Sequence, residues 1–349
     1  MAGNKSLRKA NKAKQDEFFT QLTDIEKELR YYKEHFKDKV VFCNCDDPEY
    51  SNFWKYFQNN FYFLGLKKLV STHYNLDGTP SYKMEIVRTD NGNQMGIPDY
   101  VKTPLKQNGD FRSQECIEIL KEADIVITNP PFSLFRDYVA QLMEYGKKFL
   151  IIGNQNAITY KEVFYLLQQN KMWLGYNNGD MEFVVPDYYE PRATRYREEN
   201  GIKYRSMGNT CWFTNLDTAK RHEDIILYQN YTPEEYPHYD NFNAIEVSKV
   251  DNIPVDFDGV MGVPITFMYK YNPEQFEIVG ITKTWYGGAS KIYPNQIQVN
   301  ANGKQSIVSK LNDGATLKLA TAPAGKTHYI VDGEYYIQLY ARILIRKKR

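Results

Sequence analysis

The sequence predicts an α/β fold in which a mainly parallel sheet is flanked by helices. Short apolar runs at 39–43 and 124–128 predict buried strands, and the segment 133–145 predicts a helix soon after the second of them. Strands that alternate with helices are typical of a parallel sheet covered on both faces. Polar loops follow the two strands at 44–51 and 129–132. Because ligands of such sheets bind beyond the carboxyl ends of the strands, these loops are the predicted ligand site.

The other elements of this domain follow from the same patterns. A helix over 15–36 has apolar residues at three- and four-residue spacing, which gives it one buried face. The alternating segment 81–88 and the turn signal Asn91-Gly92 predict a hairpin inserted at about 76–112. The remaining predicted elements are helices opening at Asn52 and covering 113–122 and 159–170, and strands at 66–74, 148–152, 181–185 and 211–214.

The chain changes character after about residue 172. The polar stretch 187–208 is rich in Tyr and Arg and has the composition of a mobile loop. From about residue 216 onward, turns and short strands such as 276–282 and 335–345 predominate. We therefore divide the chain into a basic N-terminal tail at 1–14, a first domain at 15–230 and a smaller C-terminal α+β region at 231–349.

Charge and composition exclude several classes of protein. The net charge is +1, so the whole-chain field does not indicate a nucleic-acid partner, although the basic residues at both ends can contact phosphates or stay solvated. The four cysteines form no disulfide framework, and the spacing of Cys43 and Cys45 with scattered histidines is not a metal-ligand pattern. No apolar run has the length of a membrane span, and the N-terminus lacks the apolar core of a secretory signal. We expect a cytoplasmic protein without a metal.

The tetrapeptide Asn129-Pro130-Pro131-Phe132 has the residues for a specific chemistry. The Asn129 side-chain oxygen and the Pro130 carbonyl can accept hydrogen bonds from the two hydrogens of an exocyclic amine, and the fixed φ of proline holds its carbonyl in place. Phe132 offers a face on which a base can stack. A plain turn is the alternative, since Asn-Pro and Pro-Pro are turn signals themselves. The position between an apolar strand and a helix favours a catalytic site.

This tetrapeptide resembles the catalytic motif of N6-adenine methyltransferases. Segments 14–21, 41–48 and 261–267 resemble those of the EcoRI-type adenine-specific DNA methyltransferases, and the resemblance covers about 14–345. It implies a Rossmann-like methyltransferase fold, S-adenosylmethionine as cofactor, S-adenosylhomocysteine as product and duplex DNA as substrate. The target adenine must then be flipped out of the duplex. The resemblance also implies a bacterial or phage restriction-modification setting, and it leaves open whether a cognate endonuclease is present; such an endonuclease would form no stable complex with this chain.

The resemblance further implies a set of cofactor contacts. The loop after the first strand is glycine-rich in related enzymes, whereas 44–51 contains no glycine. Asp46 or Asp47 can pair with the α-ammonium group of the cofactor, or instead cap a turn. Asp110 resembles the acid that binds the cofactor's adenine amine, although an ordinary helix-leading Asp is the alternative. The implied contacts are Phe18, Phe19, Thr20, Asn44, Cys45, Asp46, Asp47, Asp110, Phe111 and Asn129.

Recognition of DNA requires side chains that reach phosphates and base edges. The stretch 187–208 offers such side chains, or is a solvated loop, and the resemblance assigns target recognition to 231–349. A methyltransferase that acts on RNA or on a protein amide is one alternative function. A catalytically inactive DNA-binding relic is another, because the cofactor loop lacks glycine. The candidate DNA contacts are Arg192, Arg195, Arg197, Lys203 and Arg205.

Overall fold

The chain folds into two compact units. The first comprises the residues up to Ala157 together with Met172–Thr218, and the second comprises Ile158–Lys171 and the residues from Ala219 onward. The division predicted from the sequence was near residue 230, with the helix 159–170 in the first domain and not in the second unit. The basic tail at 1–14 lies outside the residues that the structure describes. A computed structural model describes 19–45, 47–75, 77–89, 96–187 and 189–348.

The first unit contains two sheets and most of the α-helices. Its strands are β1 (Phe19–Thr20), β2 (Val40–Cys43), β3 (Lys68–Thr72), β4 (Tyr82–Val87), β5 (Val101–Pro104), β6 (Ile125–Thr128), β7 (Lys148–Asn154), β8 (Trp173–Leu174), β9 (Glu182–Val185), β10 (Tyr196–Glu199), β11 (Ile202–Ser206) and β12 (Thr210–Thr214). Its helices are α1 (Leu22–Leu29), α2 (Asn52–Asn59), α3 (Gln114–Glu122) and α4 (Phe135–Glu144). Phe19 and Thr20 are thus in a strand, so the predicted helix over 15–36 is wrong at these positions.

The larger sheet has eight strands in the order β5-β4-β3-β2-β6-β7-β12-β8. Its centre, β3-β2-β6-β7, is parallel. Both edges are antiparallel, because β4 and β5 fold back along β3 and β12 runs against β7. The prediction of a mainly parallel sheet therefore holds only for the centre. Short connections suffice for antiparallel neighbours, whereas the parallel strands are joined through helical segments.

The two faces of this sheet are buried by different side chains. Alternate strand residues such as Val41 and Ile127 belong to one apolar core with Phe57 of α2. The intervening strand residues point to the other face, where Phe135 of α4 packs against Phe213 with ring centroids 5.0 Å apart. Burial on both faces fixes the register of the central strands and so fixes where their carboxyl ends lie.

The second sheet of the first unit includes β10 and β11, the two strands of the stretch 187–208. It is antiparallel in the order β1-β9-β11-β10, and β10 and β11 form a hairpin. The two residues between them, Asn200 and Gly201, have φ of 51° and 77°. A two-residue Asn-Gly loop with positive φ matches the twist of a hairpin, so the chain turns there without strain. The prediction of a mobile loop is therefore wrong for 196–206, whereas the described residues at 189–195 have no regular secondary structure.

The second unit is mostly β-structure, with one α-helix and several short 3-10 helices among its described residues. Its helix is α5 (Lys161–Gln168), and its strands are β13 (Ile245–Glu246), β14 (Met261–Pro264), β15 (Phe276–Ile281), β16 (Gln296–Val299), β17 (Gln305–Val308), β18 (Thr316–Leu319), β19 (His328–Val331), β20 (Glu334–Gln338) and β21 (Arg342–Lys347). These strands form one sheet in the order β13-β14-β21-β15 and another in the order β17-β16-β19-β20-β18. Among the described helices of both units, none combines the length and apolar character needed to cross a membrane.

Candidate active site

The tetrapeptide begins where β6 ends. Asn129 is buried with 7% of its surface exposed, Pro130 is buried, and Pro131 and Phe132 are half-buried. The chain then forms a short 3-10 helix, in which the Leu134 N–H donates to the Pro131 carbonyl at 2.9 Å, and continues into α4. Proline suits the start of a helical turn because its missing N–H has no partner to lose there. The tetrapeptide is therefore a fixed strand-to-helix turn.

The loop after β2 starts beside the tetrapeptide. Strands β2 and β6 are parallel neighbours, with Val41 opposite Ile125. Thr128, the last residue of β6, donates its hydroxyl to the backbone carbonyl of Asn44. Thr128 and Asn44 are both buried. The structure thus joins the predicted cofactor loop to the predicted catalytic tetrapeptide at the residue just before Asn129.

Tyr138 of α4 links Asn44 to another predicted cofactor residue. Its hydroxyl donates to Asn44 Oδ1, and its ring meets Phe111 edge-to-face with centroids 5.0 Å apart. The side chain has no exposed surface. Burial raises the pKa of the Tyr138 hydroxyl well above its usual value, so the hydroxyl keeps its proton and remains a donor. The sequence analysis did not identify this residue.

The loop 44–51 turns sharply although it has no glycine. Cys45 takes the left-handed conformation with φ of 71°, and its Sγ lies 3.6 Å from Asn44 Oδ1. Asn and Asp tolerate this conformation best, yet in this loop a cysteine adopts it. Asp46 lies outside the residues that the structure describes. A residue with a Cβ is strained in this region, and such strain concentrates at functional sites.

Asp47 is held by protein groups on three sides. Its Oδ1 accepts from the Glu49 N–H at 3.0 Å and from the Tyr82 hydroxyl at 2.8 Å, and its Oδ2 lies 3.5 Å from His73 Nε2. The His73 ring stacks on Tyr82 with centroids 4.9 Å apart. Burial raises the pKa of Tyr82, and the hydrogen bond to Asp47 raises it further. Because both hydrogen bonds are to Oδ1, the Oδ2 of Asp47 can still accept a hydrogen bond from a ligand. This oxygen lies next to the carboxyl ends of β2 and β3.

Asp110 and Phe111 lie before α3. The Arg112 guanidinium binds both carboxylate oxygens of Asp110, at 2.9 and 2.7 Å, and holds the pKa of that carboxyl below its usual range. Phe111 is buried. The backbone before them packs on the chain after β3, where a Cβ on Gly109 would lie 1.8 Å from the His73 carbonyl oxygen. Glycine is required there because no side chain fits and φ is 80°.

The first described residues reach the same region. Phe19 and Thr20 form β1, and the Asn52 side chain donates to the Thr20 carbonyl at 2.7 Å. Asn52 opens α2 directly after the loop 44–51, with Ser51 as the cap that accepts from two helix N–H groups. Thr20 Oγ1 is buried and has no hydrogen-bond partner among the described residues. Phe18 lies outside them.

These side chains fit a ligand that has amine groups and an aromatic ring. Asp47 and Asp110 are carboxylates, and Phe111, the residue after Asp110, has a buried aromatic ring. Gln141 Oε1 is buried without a hydrogen-bond partner in the described part of the chain, while Gln141 Nε2 donates to the Phe111 carbonyl at 3.2 Å. A ligand donor at this acceptor would satisfy it. Within the described ranges, no group of His, Cys, Asp and Glu is arranged to hold a metal ion.

The predicted DNA contacts lie on or near the hairpin β10–β11, and most of them are bound within the protein. Arg197 binds Glu182 and Glu199 and lies over the Tyr204 ring. Arg195 binds Asp180 at 3.3 Å. The other three are Arg192, which is exposed, Lys203, which donates to the carbonyls of Asp187 and Tyr189, and Arg205, which donates to the Thr194 carbonyl at 2.7 Å.

Comparison with known proteins agrees with this geometry. The family model described as adenine-specific methyltransferase EcoRI matches residues 6–348. The type II methyltransferase M.EcoRI of Escherichia coli is 52% identical over 295 residues, which cover 81% of this chain and 90% of that protein. M.MgeORF184P of Mycoplasma genitalium is 40% identical over 316 residues, covering 86% and 96%. M.MpnI of Mycoplasma pneumoniae is 41% identical over 277 residues, covering 78% and 84%.

The family model covers nearly the whole chain, and the relatives are similar to it over most of their length. Together they show to which family the chain belongs. They also exclude the alternatives that act on RNA or protein. The chain belongs to the EcoRI family of adenine-specific methyltransferases and is a site-specific DNA methyltransferase that uses S-adenosylmethionine.

Proposed function

We propose that the tetrapeptide 129–132 binds the flipped-out adenine of duplex DNA and directs its N6 nitrogen toward the methyl donor. Asn129 Oδ1 accepts one amine hydrogen and the Pro130 carbonyl accepts the other, which favours a pyramidal nitrogen with its lone pair turned outward. Phe132, which is half-buried against the core of the first unit, stacks on the purine. The observation that carries the proposal is the hydrogen bond from Thr128 to Asn44, which puts the tetrapeptide beside the cofactor loop.

S-adenosylmethionine supplies an electrophilic methyl carbon on a sulfonium, and the protein residues position both partners of a direct displacement. Asp47, which keeps acceptor capacity, pairs with the α-ammonium group, and Asp110 with Phe111 binds the adenine end. Thr20 and Gln141 have buried oxygens that suit donors of a ligand. Phe18, Phe19, Asn44, Cys45 and Asp46 complete the set of cofactor contacts that the family resemblance implies.

The parallel centre β3-β2-β6-β7 supports a Rossmann-like methyltransferase arrangement of the first unit. Asn44, Cys45 and Asp47 follow β2, and Asn129 follows β6, at the carboxyl ends of this centre, where such sheets bind ligands. The second unit, with its two sheets, serves as the target-recognition region, and the hairpin β10–β11 contributes phosphate contacts. A DNA substrate and bacterial relatives support action in the cytoplasm of a bacterial host.

Replacing Asn129 with Ala tests the amine contact. Removing one preorganised hydrogen-bonding group from an active site typically lowers kcat by about 100-fold to 1,000-fold. We expect Asn129→Ala to lose turnover on this scale or beyond, measured by transfer of labelled methyl to duplex DNA, while calorimetry gives a nearly unchanged cofactor Kd. Retention of activity would refute the proposed contact.

A matched control lies at the opposite end of the same sheet. The Asn215 side chain accepts from the Phe149 N–H at 2.8 Å and donates to the Lys147 carbonyl at 2.9 Å, at the start of β7. Asn215→Ala therefore removes two hydrogen bonds that stabilise the fold and none that the proposal gives to substrate. It is expected to lower the melting temperature while turnover per folded molecule stays close to that of the wild type.

A further inference from the structure

We infer that Tyr138 is a positioning residue for the cofactor, and that it acts by holding Asn44 and Phe111 in their binding conformations. This inference rests on the proposed function of the loop 44–51 and of Phe111. Tyr138 is fully buried on α4, between the two groups, and its hydroxyl is the donor to Asn44 Oδ1. Its ring packs edge-to-face on Phe111 at an interplanar angle of 78°.

The contact with Asn44 determines how the loop leaves β2. Asn44 is fixed on its backbone by the Thr128 hydroxyl and on its side chain by the Tyr138 hydroxyl. The next residue, Cys45, has the left-handed conformation and turns the loop. Because a strained conformation persists only when its surroundings determine it, loss of one of the two anchors allows the loop to relax.

The contact with Phe111 brings a second element under the same control. Phe111 precedes α3, and its carbonyl accepts from Gln141, one turn along α4 from Tyr138. The helix α4 therefore holds the chain on both sides of the proposed binding site. It also begins just after the tetrapeptide, so the cofactor loop, Phe111 and the proposed amine contact all depend on one helix.

Tyr138→Phe separates the hydroxyl from the ring. The ring contact with Phe111 remains, while a buried acceptor on Asn44 loses its hydroxyl donor and keeps only the weak contact with Cys45 Sγ. We expect calorimetry to give a cofactor Kd about tenfold higher than in the wild type, with KM for the cofactor raised by a similar factor. The value of kcat at saturating cofactor and KM for DNA should stay within about twofold of the wild type, since the hydroxyl touches neither adenine nor DNA.

The matched control is Tyr32→Phe. Tyr32 is also fully buried, and its hydroxyl donates to Glu28 at 2.9 Å. This variant loses a comparable buried hydrogen bond in the same unit, so its melting temperature without ligand should fall by at least as much. Its cofactor Kd should equal that of the wild type. If Tyr32→Phe weakens cofactor binding as much as Tyr138→Phe does, the effect comes from global stability and the inference is overturned.

A double-mutant cycle tests the route through Asn44. Asn44→Ala alone should raise the cofactor Kd, and Tyr138→Phe should add little to it, because the hydroxyl has then lost the acceptor through which it acts. Additive effects would overturn the inference, as would a Tyr138→Phe variant that binds cofactor as tightly as the wild type. Asn129→Ala measured alongside tests the proposed function separately: if it stays active, the amine contact fails whatever the cycle gives.

Discussion

Cys45 offers the sharpest test of how this protein builds a cofactor loop without glycine. Its φ of 71° places a residue with a Cβ in the left-handed region, at a cost of about 1–2 kcal/mol. Glycine removes this cost but loses about 0.5–1 kcal/mol more conformational entropy on folding. The Sγ contact with Asn44 Oδ1 at 3.6 Å is weak and contributes little. Cys45→Gly should therefore stabilise the protein slightly, by about 0.5–1 kcal/mol.

A β-branched residue has the opposite effect. Valine is a genuine outlier at positive φ, so Cys45→Val should lower the free energy of unfolding by at least about 1 kcal/mol or force the loop into another conformation. Urea unfolding measures the first effect. Calorimetric titration with the cofactor measures the second, as a Kd raised further in the valine variant than in the glycine variant.

The control for this pair is Asn295→Gly. Asn295 also has positive φ, at 48°, but lies in the second unit. Its replacement should change stability modestly, because Asn tolerates this conformation, and should leave the cofactor Kd unchanged. If Cys45→Val unfolds at the wild-type urea concentration and binds cofactor like the wild type, Cys45 does not have the conformation on which this reasoning depends.

Two further predictions concern the framework. Glu28 is buried and accepts from the Tyr32 hydroxyl, two backbone N–H groups at 176–177 and the Asn177 amide. Glu28→Gln offers one acceptor oxygen in place of two, so it should lower the free energy of unfolding, measured in urea, by about 2–3 kcal/mol. Burial raises the pKa of the Glu28 carboxyl above its value in the unfolded chain. The stabilisation that this carboxyl contributes is therefore complete below the unfolded pKa and declines as pH rises through the folded pKa. If the difference in unfolding free energy between wild type and Glu28→Gln grew with rising pH, this pH dependence would be contradicted. Gly201→Ala, at φ of 77°, should destabilise the hairpin by about 1 kcal/mol and weaken duplex binding in anisotropy titrations at fixed salt, without changing the cofactor Kd. Gly146→Ala, in an open turn of the first unit after α4 at φ of 63°, is the control; equal loss of DNA affinity in both variants would argue against a role for the hairpin.

The strands and the turn at 129–132 could be predicted because their signals are local. The apolar runs of β2, β6 and β7 are short and continuous, as expected for strands buried on both faces, and the polar loops follow them directly. The antiparallel pair β4–β5 was predicted from its alternation and turn signal, whereas the antiparallel edge formed by β12 could not be predicted in this way. The pairing of β12 with β7 joins residues far apart in sequence, and periodicity within a segment carries no information about its partner.

The residues that the sequence analysis missed were hidden for different reasons. Tyr138 occupies the apolar face of an amphipathic helix, where a tyrosine looks like any core aromatic until the structure places its hydroxyl on Asn44. Tyr82 and His73 reach Asp47 only through the pairing of β3 with β4. The hairpin β10–β11 did have a local signal, the dipeptide Asn200-Gly201. The charged composition around it concealed this signal, because charged strands exposed on an outer sheet lack an apolar alternation.

The basic side chains on and near the hairpin differ in how strongly they are already bound within the protein, and this difference predicts which of them contribute most to DNA binding. Arg197 is bound by two carboxylates, one of them Glu182, and a phosphate would have to replace those charge-assisted hydrogen bonds with its own. Lys203 and Arg205 donate only to backbone carbonyls, which compete less well with a phosphate for a cation. Arg192 is exposed beside Tyr189. If the hairpin contacts DNA, Arg192, Lys203 and Arg205 should therefore contribute more to affinity and to its salt dependence than Arg197, whose charge already serves to fasten β10 to β9.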